Sequence, residues 1–149
     1  MATFTVLNTG DSGPGSLRWA IDQANTTAGA DVIEFQSDMT GIITLTAGEL
    51  LVSDDVTITG LGSAAISVFG NNASRIFNIQ GVSSLNVTIS GLTLSGGKVT
   101  GADGGAILNN NSSLTLNDLI ISNSKADNGA GIYNNDGTVT LLNSMVNVK

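Results

Sequence analysis

Gly104-Gly105-Ala106-Ile107-Leu108-Asn109-Asn110 returns as Gly129-Ala130-Gly131-Ile132-Tyr133-Asn134-Asn135, 25 positions further on. At the same offset Leu114-Thr115-Leu116 returns as Val139-Thr140-Leu141. Upstream, Val56-Thr57-Ile58-Thr59-Gly60-Leu61 matches Val87-Thr88-Ile89-Ser90-Gly91-Leu92 at an offset of 31. Self-similarity at such periods marks a solenoid, in which each coil buries its apolar side chains only against its neighbours. Shape is therefore more legible here than chemistry.

Composition selects the kind of solenoid. The 149 residues include 19 Gly and one Pro, and charged residues make up only 11%. Ile, Leu and Val alternate with Thr, Ser and Asn, as in Val87-Thr88-Ile89-Ser90 and Leu92-Thr93-Leu94-Ser95. Period two with β-branched residues reads as half-buried strand. After about residue 30 no helical pattern appears, which excludes helical repeats. Three short strands per repeat favour a parallel β-helix over a propeller blade.

Two series of equivalent positions follow. Leu45, Ile76, Ile107 and Ile132 form the first; Val56, Val87, Leu114 and Val139 form the second. A third strand follows each member of the second, as in Leu92-Thr93-Leu94 and Leu119-Ile120-Ile121. Length variation falls into the turns while strands stay in register, as coils stacked ~4.8 Å apart require. Thr57, Thr88, Thr115 and Thr140 then form an outward ladder, and Asn78, Asn109 and Asn134 another, with amides bonding along the stack. The expected interior is Ile58, Ile76, Ile89, Leu94, Ile107, Leu116, Ile121, Ile132 and Leu141. Phe69 and Phe77 also read as core.

The N-terminus departs from this pattern. Ser16 is a good N-cap for a helix over residues 16–25, and Leu17, Ala20, Ile21 and Ala24 share one face of it. An open solenoid end exposes apolar side chains and unpaired backbone, so this helix reads as a lid. The expected fold is an all-β, right-handed parallel β-helix in one domain, residues 1–149. Residues 1–40 would form the N-terminal cap and residues 41–149 roughly four coils, the last incomplete.

Thr9-Gly10-Asp11-Ser12-Gly13-Pro14-Gly15-Ser16-Leu17-Arg18-Trp19-Ala20-Ile21 resembles the opening motif of CSLREA-type, or choice-of-anchor, proteins. These are bacterial secreted and surface right-handed β-helix proteins with a pectate-lyase-like fold. The resemblance continues through Gly29-Ala30-Asp31-Val32-Ile33-Glu34-Phe35, Ile43-Thr44-Leu45, Gly70 to Phe77 and the Gly-rich coils. Gly15 stands where the motif has Cys, and Trp19 where it has Glu. The resemblance implies a structural cap motif at Ser16, Leu17, Arg18, Ala20 and Ile21, export from the cell, and a chain that is a mature piece or fragment of a larger protein. Met1-Ala2-Thr3 begins no signal peptide.

Chemistry is sparse. A net charge of −7 with Arg18, Arg75, Lys98, Lys125 and Lys149 as the only cations argues against nucleic acid and anionic membranes. No stretch approaches a membrane span. There is no Cys and no His, which removes disulfides, Ser–His and Cys–His triads and most transition-metal sites. Asp54 and Asp55 sit beside a strand start and Asp103, Asp118, Asp127 and Asp136 lie in separate turns, with no acid stacked on an acid, so no catalytic residue, cofactor site or metal site is assigned. Gly101-Ala102-Asp103-Gly104-Gly105 is a single loose relative of a Ca²⁺-binding turn. Thr57/Thr59 decays to Thr88/Ser90, Thr115/Asn117 and Thr140/Leu142, whereas an ice-binding lattice needs both columns. The reading is a non-enzymatic extracellular scaffold with a structural or adhesive role. Its partner would be itself through the open C-terminal coil, as homo-oligomer or fibre, or further repeats of a parent protein. Leu141 to Lys149 ends with little to blunt that edge. The rival class is a carbohydrate-active enzyme of the lyase or hydrolase kind, or a glycan-binding module.

Overall fold

Among the residues described by the computed structural model, 1–147, every strand pairing is parallel. The elements are β1 (Thr3–Val6), α1 (Leu17–Thr26), β2 (Asp31–Phe35), β3 (Gly41–Thr44), β4 (Leu50–Val52), β5 (Val56–Thr59) and β6 (Ile66–Phe69). They continue with β7 (Phe77–Ile79), β8 (Asn86–Ser95), β9 (Ile107–Asn110), β10 (Ser113–Ser122), β11 (Ile132–Asn135), β12 (Thr138–Leu142) and β13 (Met145–Asn147). Three stacks result. The first runs β1-β2-β5-β8-β10-β12; the second joins β3, β6, the later halves of β8 and β10, and β13; the third runs β4-β7-β9-β11. This is a parallel β-helix of about five turns with one short helix. The expected four coils become five because β2 pairs β5 and β1 pairs β2, so stacked strands begin well before residue 41.

The first stack follows the repeats. Val56, Val87, Leu114 and Val139 stack in register, as do Thr57, Thr88, Thr115 and Thr140. The third stack differs from expectation by one residue. Leu50, Phe77, Ile107 and Ile132 are the equivalent positions, so Ile76 and Leu45 leave that series. Ile76 and Phe77 both donate to Ala106 O, two residues against one, which is a bulge. Both are fully buried, so apolarity alone could not reveal the slip. Leu45 instead extends the second stack, donating to Phe69 O.

The slip moves the amide ladder too. Asn109 stacks on Asn134 and donates to its Oδ1 at 2.9 Å, but Asn78 stacks on Leu108. Phe69 points outward, half-buried; the core positions beside it are Ile66 and Val68. Phe77 is core as expected. Of the nine expected interior residues, seven are fully buried, Ile132 is half-buried and Leu141 is exposed. Leu141 does face inward, since it stacks on Leu116, but no further coil covers it among the described residues.

Corners repeat as faithfully as strands. Within β8 and β10 the chain bends at Gly91 (φ 66°) and Asp118 (φ 54°), and Asn143 (φ 49°) occupies the same corner after β12. A second corner stacks Gly96 (φ 64°) with Asn123 (φ 51°), and a third stacks Asn111 (φ 51°) with Asp136 (φ 55°). Only Gly, Asn and Asp reach this left-handed region at low cost.

The helix closes the first end. Leu17, Ala20, Ile21 and Ala24 are buried in the same core as Val6, Ile33 and Val52. Among the described residues strand β4 has a partner on one side only, β7. On its other side Asn25 Nδ2 donates to Leu51 O at 2.8 Å, and Ser53 N donates to Asn25 Oδ1 at 2.9 Å. One side-chain amide thus occupies the place of a peptide group in the missing strand, which blunts the edge.

Asp118→Gly is expected to leave stability within about 0.5 kcal/mol of the original, and Asp118→Val to lower it by about 1–2 kcal/mol, because a β-branched residue resists the left-handed conformation. Urea denaturation measures both. A Val variant as stable as the parent would show that corner conformation does not constrain the stack.

Candidate functional site

The cap motif carries a connected polar cluster. Ser16 is fully buried; its hydroxyl donates to Gly13 O at 2.8 Å and accepts from Trp19 N at 3.1 Å, which starts α1. Leu17, Ala20 and Ile21 lie in the core, and Trp19 packs edge-on against Phe4 with ring centroids 6.3 Å apart. Arg18 reaches out of the helix to two segments. Its Nη1 donates to Glu49 O at 2.8 Å, its Nη2 to Gly48 O at 2.7 Å and to Asp11 Oδ1 at 3.0 Å, and its Nε to Asp11 O at 3.2 Å. Asp11 Oδ2 in turn accepts from Thr46 Oγ1 and Ala47 N, both at 3.0 Å.

Two coils further on, Arg75 repeats the arrangement. Its Nη1 donates to Glu49 Oε1 at 2.6 Å, its Nε to Gly104 O at 2.8 Å and its Nη2 to Asp103 O at 2.6 Å. Glu49 Oε2 accepts from Asn78 Nδ2 at 2.7 Å. Arg18, Glu49 and Arg75 therefore tie successive turns along the axis. Asp11, Asn25, Glu49 and Arg75 were not singled out in the sequence. The spacing held a signal: Arg18 to Glu49 is 31 positions and Glu49 to Arg75 is 26, each close to one coil.

Five of the six acids considered for catalysis accept hydrogen bonds from other groups of the chain. Asp54 Oδ1 accepts from Asp55 N, Asp55 Oδ1 from Asn86 N, and Asp103 Oδ1 from Asn128 Nδ2 at 2.9 Å. Asp127 Oδ1 receives Gly101 N at 3.4 Å, and Asp118 Oδ1 receives Ser63 Oγ at 3.4 Å. Among the described residues no group of three His, Cys, Asp or Glu side chains converges as metal ligands would. No described helix is long and apolar enough to cross a membrane. Lys98 and Lys125 stack on adjacent turns as a parallel bridge, both exposed.

The outer faces differ in character. The first stack presents the Thr57-Thr88-Thr115-Thr140 column. The third presents Leu51, Asn78, Leu108 and Tyr133, flanked by Gln80, Asn110 and Asn135. Compared with known proteins, the chain matches no family model, and no curated protein matches it.

Burial alone would raise the Asp11 pKa, but hydrogen bonds from Arg18 and Thr46 and the Arg18 charge outweigh it and hold the carboxyl below its ordinary value. A carboxyl with a lowered folded-state pKa stabilises the fold fully above its unfolded value of about 3.9, and this contribution is lost as pH falls through the folded value. Asp11→Asn is thus expected to lose about 1–3 kcal/mol at neutral pH. The gap to the parent should shrink as pH drops below about 4. Thermal melts across that range check it; a gap constant with pH would contradict the ionised Asp11–Arg18 pair.

Proposed function

We propose that this chain is a non-enzymatic extracellular scaffold, structural or adhesive, whose last described coil stacks on a second copy of itself or on further repeats of a parent protein. One observation carries the reading. Leu141 and Val146 are 47% and 40% exposed, while Leu116 and Ile121, on which they stack, are 0% exposed. The same inward positions are dry in one coil and wet in the next. Strands β11, β12 and β13 each pair on one side only among the described residues, which leaves a polar edge around that apolar end.

Burying a Leu or Val side chain completely contributes about 1.5–3 kcal/mol, so covering Ile132, Val139, Leu141 and Val146 together is a substantial driving force. Helix α1 closes the opposite end, which disfavours head-to-tail addition and favours a closed two-fold pair. The resemblance of Thr9–Ile21 to exported surface β-helix proteins supports a place outside the cell. The bonds that Asp54, Asp55, Asp103 and Asp127 accept from backbone N–H groups and the Asn128 amide support a structural role for them.

Light scattering over a dilution series of the full chain is expected to show a concentration-dependent dimer, and Leu141→Lys with Val146→Lys to abolish it without altering the circular dichroism. A strict monomer at every concentration, with slow amide exchange in β12, would overturn the proposal.

A further inference from the structure

The outer face of the third stack is built in a way that coil stacking alone does not require. Leu51 stacks on Asn78, Asn78 on Leu108 and Leu108 on Tyr133. Two residues further along each strand, on the same side by the two-residue pleat, Gln80, Asn110 and Asn135 form a parallel column. That second column is a bonded ladder: Asn135 Nδ2 donates to Asn110 Oδ1 at 3.0 Å, and Asn110 Nδ2 donates to Gln80 Oε1 at 3.4 Å. Each link uses one N–H and one carbonyl lone pair, fixing the amide planes and leaving further donors and acceptors free.

No residue of either column carries a formal charge. At the cap end the face opens into a cleft of about 450 Å³ lined by Glu49, Leu51, Asn78, Gln80 and Val82, among others. Glu49 is 34% exposed there, and its two oxygens accept from Arg75 and Asn78 at 2.6 and 2.7 Å. Its remaining lone pairs are acceptors whose direction is set before any ligand arrives.

We infer that this face binds a neutral, hydroxyl-rich polysaccharide lying along the solenoid axis. The inference rests on the adhesive part of the proposed function and names its ligand class. Sugar hydroxyls both donate and accept, so they match oriented amides and a fixed carboxylate. The C–H faces of pyranose rings match Leu51, Leu108 and the Tyr133 ring. From Leu51 to Tyr133 is three strand spacings, ~14 Å, so a polymer with a repeat close to the strand spacing meets equivalent groups at successive rings. Single contacts at an exposed face are weak, and repetition supplies the affinity. Acidic sugars are disfavoured here by Glu49; the stacked Lys98 and Lys125 would be their place instead.

The test titrates the ¹⁵N-labelled full chain with cellohexaose, maltohexaose and xylohexaose, and separately with hexagalacturonate. At least one neutral hexaose should give saturable shifts at Gln80, Leu108–Asn110 and Tyr133–Asn135, and its disaccharide much smaller ones. Tyr133→Ala and Gln80→Ala should each weaken binding about tenfold, the loss of roughly one good contact. Thr88→Ala, on the first stack, should leave binding unchanged. Absence of shifts on this face with all three neutral probes overturns the inference. So does binding of hexagalacturonate alone that survives Tyr133→Ala and is lost with Lys98→Ala and Lys125→Ala. Leu141→Lys with Val146→Lys should remove the dimer while sparing sugar binding, so failure of self-association and failure of this site read out separately.

Discussion

Parallel stacking in register is the constraint from which the rest of this molecule follows. The backbone of each strand bonds to the strands one coil before and after it, so backbone conformation is copied from coil to coil. The copying extends to the corners, where Gly91, Asp118 and Asn143 adopt the same left-handed conformation although their side chains differ. Gly104 and Gly129, 75° and 58° in φ, do the same ahead of the third stack. Side chains adapt within that frame. Inward positions remain apolar because they meet only their own kind, and Asn109 is tolerated there because Ser112 O and Asn134 Oδ1 take its amide protons.

A structure held together by neighbours has a problem at its ends, and the two ends differ. At the first, α1 supplies four apolar side chains, an amide that stands in for a strand peptide, and an arginine that gathers the carbonyls of Gly48 and Glu49. At the other, inward-facing Leu141 and Val146 meet no covering coil among the described residues. The asymmetry gives the proposed pairing of copies its direction. The polar chain through Arg18, Glu49 and Arg75 links the closed end to the middle coils, so these charged groups act as axial ties between turns.

Much of this was legible in the residues. The 25-residue and 31-residue repeats placed the first stack in register, and Ser16 with the Leu17, Ala20, Ile21 and Ala24 face located the helix and its role. The third stack was read one residue out of step, because Ile76 and Phe77 are both apolar and both buried across a bulge. Phe69 was misplaced for a related reason: it alternates correctly with Val68, but its size suggested core. Strand β2 lies within the expected cap, residues 1–40, yet it stacks on β5 with Asp31 opposite Val56, so an acid stands where the repeat would show an apolar residue. Contacts between distant polar residues, such as Glu49 with Arg75, depend on loop lengths that periodicity averages away.

Native-state amide hydrogen exchange, read coil by coil in the monomeric Leu141→Lys, Val146→Lys chain, tests the nearest-neighbour account most directly. Protection should be greatest in β5, β8 and the first half of β10, which have a strand on both sides, and fall steadily through β12 and β13. Uniform protection along the whole chain, or a final coil as protected as the middle ones, would contradict it.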